Sequence, residues 1–144
     1  MEIICRSFQE LSTEELYEIL RLRCAVFVVE QNCAYQDIDG LDTSALHVML
    51  QDEEGLQAYL RILPPGIQGV EARIGRVIAV KRRCGLATRL LEKGIRLARA
   101  AYNGAPIVVE AQTYARGLYE KQGFRQVSEE FLEDGIPHIR MLLE

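Results

Sequence analysis

No apolar run in this 144-residue chain approaches the roughly 20 residues needed to cross a bilayer, and the opening MEIICRSF lacks the long apolar core of a secretion signal. A cytoplasmic protein with reduced thiols and no membrane partner is the expectation. Proline is scarce, at 4, and hydrophobic residues make up 49%, which excludes a disordered chain and a collagen-like repeat. The four cysteines (Cys5, Cys24, Cys33, Cys84) have no CxxC spacing, and His47 and His138 stand far apart, so neither a zinc site nor a thioredoxin-like redox pair has a signature. GxxxxGK[ST] and GxGxxG are absent as well. Asp37, Asp39 and Asp42 lack the order and terminal Glu of an EF-hand loop, so no metal is expected. What is present suffices for one core: a chain this long buries roughly 68% of its unfolded surface, and a single domain over residues 1–144 is expected.

Charge is unevenly spread. Arg73 to Arg99 holds nine basic residues against one acid, Glu92, whereas Cys24 to Leu60 holds seven acids and no Lys or Arg. The asymmetry suggests a polyanionic ligand at the first segment and a cationic one at the second.

The local patterns alternate between helix and strand. Ser12 and Glu15 form a capping box and Leu11 can staple onto Leu16, so a helix starts at Thr13 and runs to about Glu30, with a break near Cys24. A polar loop covers residues 31–43. Leu46–Leu50 and Leu56–Leu63 read as a hairpin around an acidic turn, and the run 70–80 as a strand ending at the cluster Lys81, Arg82, Arg83, Cys84, Gly85. Leu86, Leu90, Leu97 and Ala101 align with Ala87, Leu91 and Ala98 in one stripe, so 86–102 is an amphipathic helix. A short buried strand at 107–110, a helix over about 113–122 closing on Gly123, and a hairpin of 124–131 with 139–143 around Asp134 and Gly135 complete a mixed α/β domain.

The segment Ile78 to Thr88 carries the chemistry. A buried strand that feeds a glycine-containing turn and then a helix presents first-turn N–H groups without intrahelical partners at the positive end of the dipole, which is a recipe for binding phosphate. Gly85 lets a ligand approach the backbone and Ala87 keeps the way clear.

Arg82, two residues, Gly85, one residue and Ala87 match the Arg/Gln-x-x-Gly-x-Gly/Ala signature, and Ala115, Tyr119, Gly123 and Phe124 match Ala-x-x-x-Tyr-x-x-x-Gly-Phe. In both motifs the chain resembles the GCN5-related N-acetyltransferases (GNAT). Leu22, Arg23, Val26 to Gln31, Asp37, Asp39, Gly40, His47 and Asp134 to His138 resemble the ElaA-like branch of that superfamily. Lys81, Cys84 and Gln112 depart from commoner residues at their positions; Gln112, where Asn is frequent, can still hydrogen-bond.

The resemblance implies a GNAT-like domain with a central, mostly antiparallel twisted sheet of about six or seven strands and helices on both faces. It also implies acetyl-CoA as cosubstrate, and direct attack on the thioester by a primary amine of a small molecule or peptide. Arg82, Arg83, Cys84, Gly85, Leu86, Ala87 and Thr88 are then the pyrophosphate loop, with Ile78, Val80 and Gln112 along the pantetheine arm and the Val80 amide as oxyanion donor. Tyr119 is the candidate acid for the departing thiolate and Glu110 the first candidate base, ahead of Glu30 or water; His47 and His138 carry no assigned role. Dimers are common among such relatives, so a homodimer is admitted. Two rivals remain: a catalytically silent acyl-CoA-binding module, and a nucleic-acid patch on the basic segment, which ranks last for want of interleaved aromatics.

Overall fold

The structure, a computed structural model, describes residues 1–81 and 85–144. Its strands are β1 (Glu2–Ser7), β2 (Leu46–Asp52), β3 (Gly55–Leu63), β4 (Ala72–Ala79), β5 (Ile107–Gln112), β6 (Arg125–Gln126), β7 (Phe131–Glu133) and β8 (Ile136–Leu143); its helices are α1 (Thr13–Arg23), α2 (Leu86–Ala101) and α3 (Arg116–Glu120). The strands form one sheet in the order β1-β2-β3-β4-β5-β8-β6, with β7 also on β8. Every pairing is antiparallel except β4 with β5.

Alternation along β2 and β3 sorts the core into two layers. Val48, Leu50, Ala58, Leu60 and Ile62 point to the α2 face, where they meet Leu90, Leu91 and Ile95. Met49 and Tyr59 point the other way, onto Ile19 of α1. Helices therefore cover both faces. Gly94 brings α2 close to the sheet: a Cβ there would lie 2.9 Å from a Leu60 methyl.

Ser12 and Glu15 close the expected capping box, with Glu15 N–H to Ser12 Oγ at 3.0 Å and Ser12 N–H to Glu15 Oε1 at 2.8 Å. The break at Cys24 is a change of winding. From Cys24 to Glu30 the chain continues as a π-helix, in which Cys33 N–H, just beyond its end, still bonds the Val28 carbonyl five residues back.

Two expectations need correction. The helix over 113–122 is a 3₁₀ turn (Thr113–Ala115) followed by the short α3, and Gly123 closes it at φ +98°. The single strand expected over 124–131 is two pieces, β6 and β7, which follow one another along the outer edge of β8. Ser128 interrupts the ladder between them, because its hydroxyl accepts the Arg140 N–H at 2.8 Å.

Candidate active site

β4 and β5 pair only at Ala72–Ile107 and Arg73–Val108, and then separate. The cause lies in β4. Its register against β3 shifts between Tyr59 and Arg61, a bulge in which Arg76 takes φ +53°, and the added twist turns the end of β4 away from β5. The resulting gap belongs to a cleft of about 1450 Å³. Ile78, Val80, Gly85, Leu86, Ala87, Thr88, Glu110, Gln112 and Tyr119 all line it, so the structure brings together every expected site residue that it describes. Arg82, Arg83 and Cys84 lie outside the described residues.

The start of α2 borders this cleft. Gly85 is its N-cap at φ +72°, a conformation a side chain disfavours, and no side chain caps the helix there among the described residues. Leu86 is buried in the core, so it can offer a ligand only its amide. The Val80 expectation fails on direction, since its N–H donates to the Gln57 carbonyl of β3 at 2.9 Å. Alternation then turns the main-chain groups of Ile78, which pairs with Tyr59, toward β3 as well, and those of Val77 and Ala79 toward the gap.

The cleft passes through the sheet. Tyr119 sits on the α2 face, edge-on to Phe124 at a ring distance of 5.8 Å; burial raises its phenol pKa above the usual range, and its hydroxyl has no hydrogen-bond partner among the described residues. Glu110 sits on the opposite face. Arg73 Nη1 donates to its Oε1 at 2.7 Å and Arg140 Nη2 to the same oxygen at 3.3 Å. Burial opposes ionisation of Glu110, but the hydrogen bonds with Arg73, Glu133 and Arg140 and the charge of Arg73 together outweigh it, and the carboxyl is held below its ordinary range. Facing it on β7, Glu133 is pushed up, by burial and by Glu110. Sequence reasoning missed Arg73, Arg140 and Glu133 as neighbours of Glu110, and His138 as a neighbour of Glu133. The signal was faint: each alternates to one side of its strand, but only the register shows that those sides coincide.

Asp37, Asp39 and Asp42 of the acidic stretch are held by arginines of the chain itself. Arg23, fully buried at the end of α1, donates to Asp37 Oδ2 (3.1 Å) and Asp42 Oδ1 (2.7 Å). Arg61 grips Asp39 (2.6 Å) and Asp42 (3.0 Å), and Arg76 lies against Asp37 (2.8 Å) and Asp39 (3.2 Å). Three of the seven acids in this stretch are thereby paired within the chain. His47 is a packing residue: its Nε2 donates to the Asp42 carbonyl (2.9 Å), which leaves Nδ1 to accept from the Tyr59 hydroxyl (2.6 Å). Burial lowers its pKa and keeps the ring neutral.

Among the described residues no helix is long and apolar enough to cross a membrane. A family model described as "Acetyltransferase (GNAT) domain" matches residues 10–144. Protein ElaA of Escherichia coli is 41% identical over 139 residues, covering 94% of this chain and 91% of ElaA. The ElaA crystal structure superposes with a TM-score of 0.92 over the whole of both chains. That of an acyl-CoA N-acyltransferase from Pseudomonas aeruginosa, 38% identical, superposes with a TM-score of 0.93 over 99% of each. On this family match and these relatives, the chain belongs to the GNAT superfamily, in its ElaA-like branch.

Proposed function

We propose that this chain is an acetyl-CoA-dependent N-acetyltransferase, acting as a single domain in the cytoplasm and transferring acetyl to a primary amine of a small molecule or peptide by direct attack. One observation carries the reading: the β4–β5 gap joins the start of α2, which no side chain caps among the described residues, on one face to a carboxylate cluster on the other. A thioester lying in that gap meets an acid from one side and an amine from the other. The name of the Pseudomonas aeruginosa neighbour supports the acyl-CoA donor.

The residues divide the work by position. First-turn amides of Leu86, Ala87 and Thr88, with the basic turn before them, hold the diphosphate. Main-chain groups of Ala79 or Val77 hydrogen-bond along the pantetheine arm and polarise the thioester carbonyl, as donors fixed before reaction. Ile78, Val80 and Gln112 wall that arm. The Tyr119 hydroxyl, which has no partner among the described residues, donates to the departing sulfur. Glu110, kept ionised by its two arginines, holds the ammonium of the acceptor at the far mouth of the gap.

The test is a screen of primary amines for release of free coenzyme A thiol, paired with calorimetry of coenzyme A binding. Turnover with at least one amine supports the proposal. Binding without turnover across a broad panel favours a silent acyl-CoA-binding module, and a protein that ignores millimolar coenzyme A refutes both.

A further inference from the structure

On the reading just given, the acceptor ammonium must lose a proton before its nitrogen can attack, and Glu110 is poorly placed to keep one. Arg73 and Arg140 both address its Oε1, and each stabilises the ionised form. Glu133 and His138 are differently placed. The turn at Asp134–Gly135 folds β7 onto β8, setting Glu133 opposite Ile136 and His138 opposite Phe131. The Phe131 ring stacks on the imidazole, with centroids 6.1 Å apart and planes at 25°, and on the other side His138 pairs with Gln112 of β5. His138 is 8% exposed.

The tautomer follows from the contacts. His138 Nδ1 lies 2.7 Å from the Ile136 carbonyl oxygen, which can only accept, so Nδ1 carries the hydrogen and Nε2 of the neutral ring carries the lone pair. Nε2 lies 3.5 Å from Glu133 Oε2. Around this pair stand Glu110 from β5, Arg73 from β4, Arg140 from β8 and Asp134 from the turn. Glu133, Asp134, His138, Glu110, Arg73 and Arg140 all line the cleft.

We propose that Glu133 and His138 together are the proton acceptor of the reaction: the Glu133 carboxylate meets the ammonium at the cleft, and His138 Nε2 shares the proton it takes. Burial and the facing carboxylate of Glu110 raise the proton affinity of Glu133, in the direction such an acceptor needs. The ammonium gives one proton to the pair and keeps the N–H electrons as a lone pair. That lone pair forms the C–N bond while the carbonyl π electrons move onto oxygen. When they return, the C–S bond breaks and its electrons leave on sulfur. Tyr119 protonates the sulfur and is restored by the second proton lost from nitrogen. The first proton passes from Glu133 and His138 to solvent, so ammonium and thioester become amide, thiol and one free proton.

The test has a structural arm and a kinetic arm. The chain has 2 histidines, so imidazole ¹⁵N spectra show two rings, and His138→Gln assigns them. The expected spectrum has His138 protonated at Nδ1, with an Nε2 resonance that moves on Glu133→Gln; an Nε2–H tautomer, or a resonance unmoved by that change, overturns the pairing. In the kinetic arm kcat/KM is followed against pH with the best amine of the screen. Both variants should lose about 10²-fold at neutral pH, displace the acid limb of the profile and keep the KM for acetyl-CoA within twofold. A profile that matches the parent in folded His138→Gln and Glu133→Gln proteins overturns the assignment while leaving acetyl transfer intact. Failure of the parent to turn over any amine overturns the acetyl-transfer reading, and the role of the pair with it.

Discussion

Arg76 Nε lies 2.8 Å from Asp37 Oδ1, tying the bulge of β4 to the loop after the π-helix. The bulge opens the gap and the loop borders the same cleft, so the ion pairs of Arg76 with Asp37 and Asp39 link the two. Because Arg76 holds φ +53°, its backbone and its charge can be tested separately. Arg76→Gly removes its ion pairs and relieves the backbone strain, whereas Arg76→Ala removes the same pairs but keeps the cost of a left-handed residue, roughly 1–2 kcal/mol. Urea melts should place the Ala variant below the Gly variant by about that amount.

Arg23 is the cation about which the loop is built. Its removal leaves Asp37 and Asp42 buried with fewer partners, and breaking a buried pair costs roughly 3–5 kcal/mol. Arg23→Ala should lower the urea midpoint accordingly, and a loss below about 1 kcal/mol would show that Arg61 and Arg76 neutralise the aspartates unaided.

Tyr119→Phe removes a hydroxyl that has no hydrogen bond among the described residues and keeps the ring against Phe124. Stability and coenzyme A affinity should hold, while kcat falls about 10²–10⁴-fold, the range for a lost general acid. A variant that keeps full turnover would leave the ring with a packing role alone.

Acid should weaken the fold in two steps. Burial lowers the pKa of His47, so below its ordinary value near 6.5 the unfolded chain takes up a proton that the folded chain refuses, and stability declines as pH falls from there. Asp42 is held low against its burial by Arg23 and Arg61, and Asp39 is lowered to about 2 by Arg61, Leu41 N–H and Arg76. Their contribution is complete above pH 3.8, the usual aspartate value, and is lost as pH falls through the depressed one. Thermal melts against pH should show both steps, and His47→Gln should flatten only the upper.

Gly94→Leu should destabilise through α2 and leave the cleft untouched. Even a Cβ would press on Leu60, which is fully buried, so the added bulk forces repacking at a cost of roughly 1–3 kcal/mol. Melting with and without coenzyme A should give the same ligand-induced shift as the parent.

Sequence alone determined the features that depend on neighbours a few residues apart. Ser12 and Glu15 announce the start of α1, the stripe from Leu86 to Ala98 announces α2, and Gly85 marks the turn before it, because capping, helical periodicity and positive φ are local. Only the tertiary structure decided what crosses the sheet. Arg73 meets Glu110 across 37 positions of sequence and Arg76 meets Asp39 across the same number. The Val80 amide turns to β3, and the strand expected over 124–131 divides around Ser128. These depend on strand register and on one bulge, where a shift of a single residue exchanges the two faces, and no pattern within a segment records its register against a distant one.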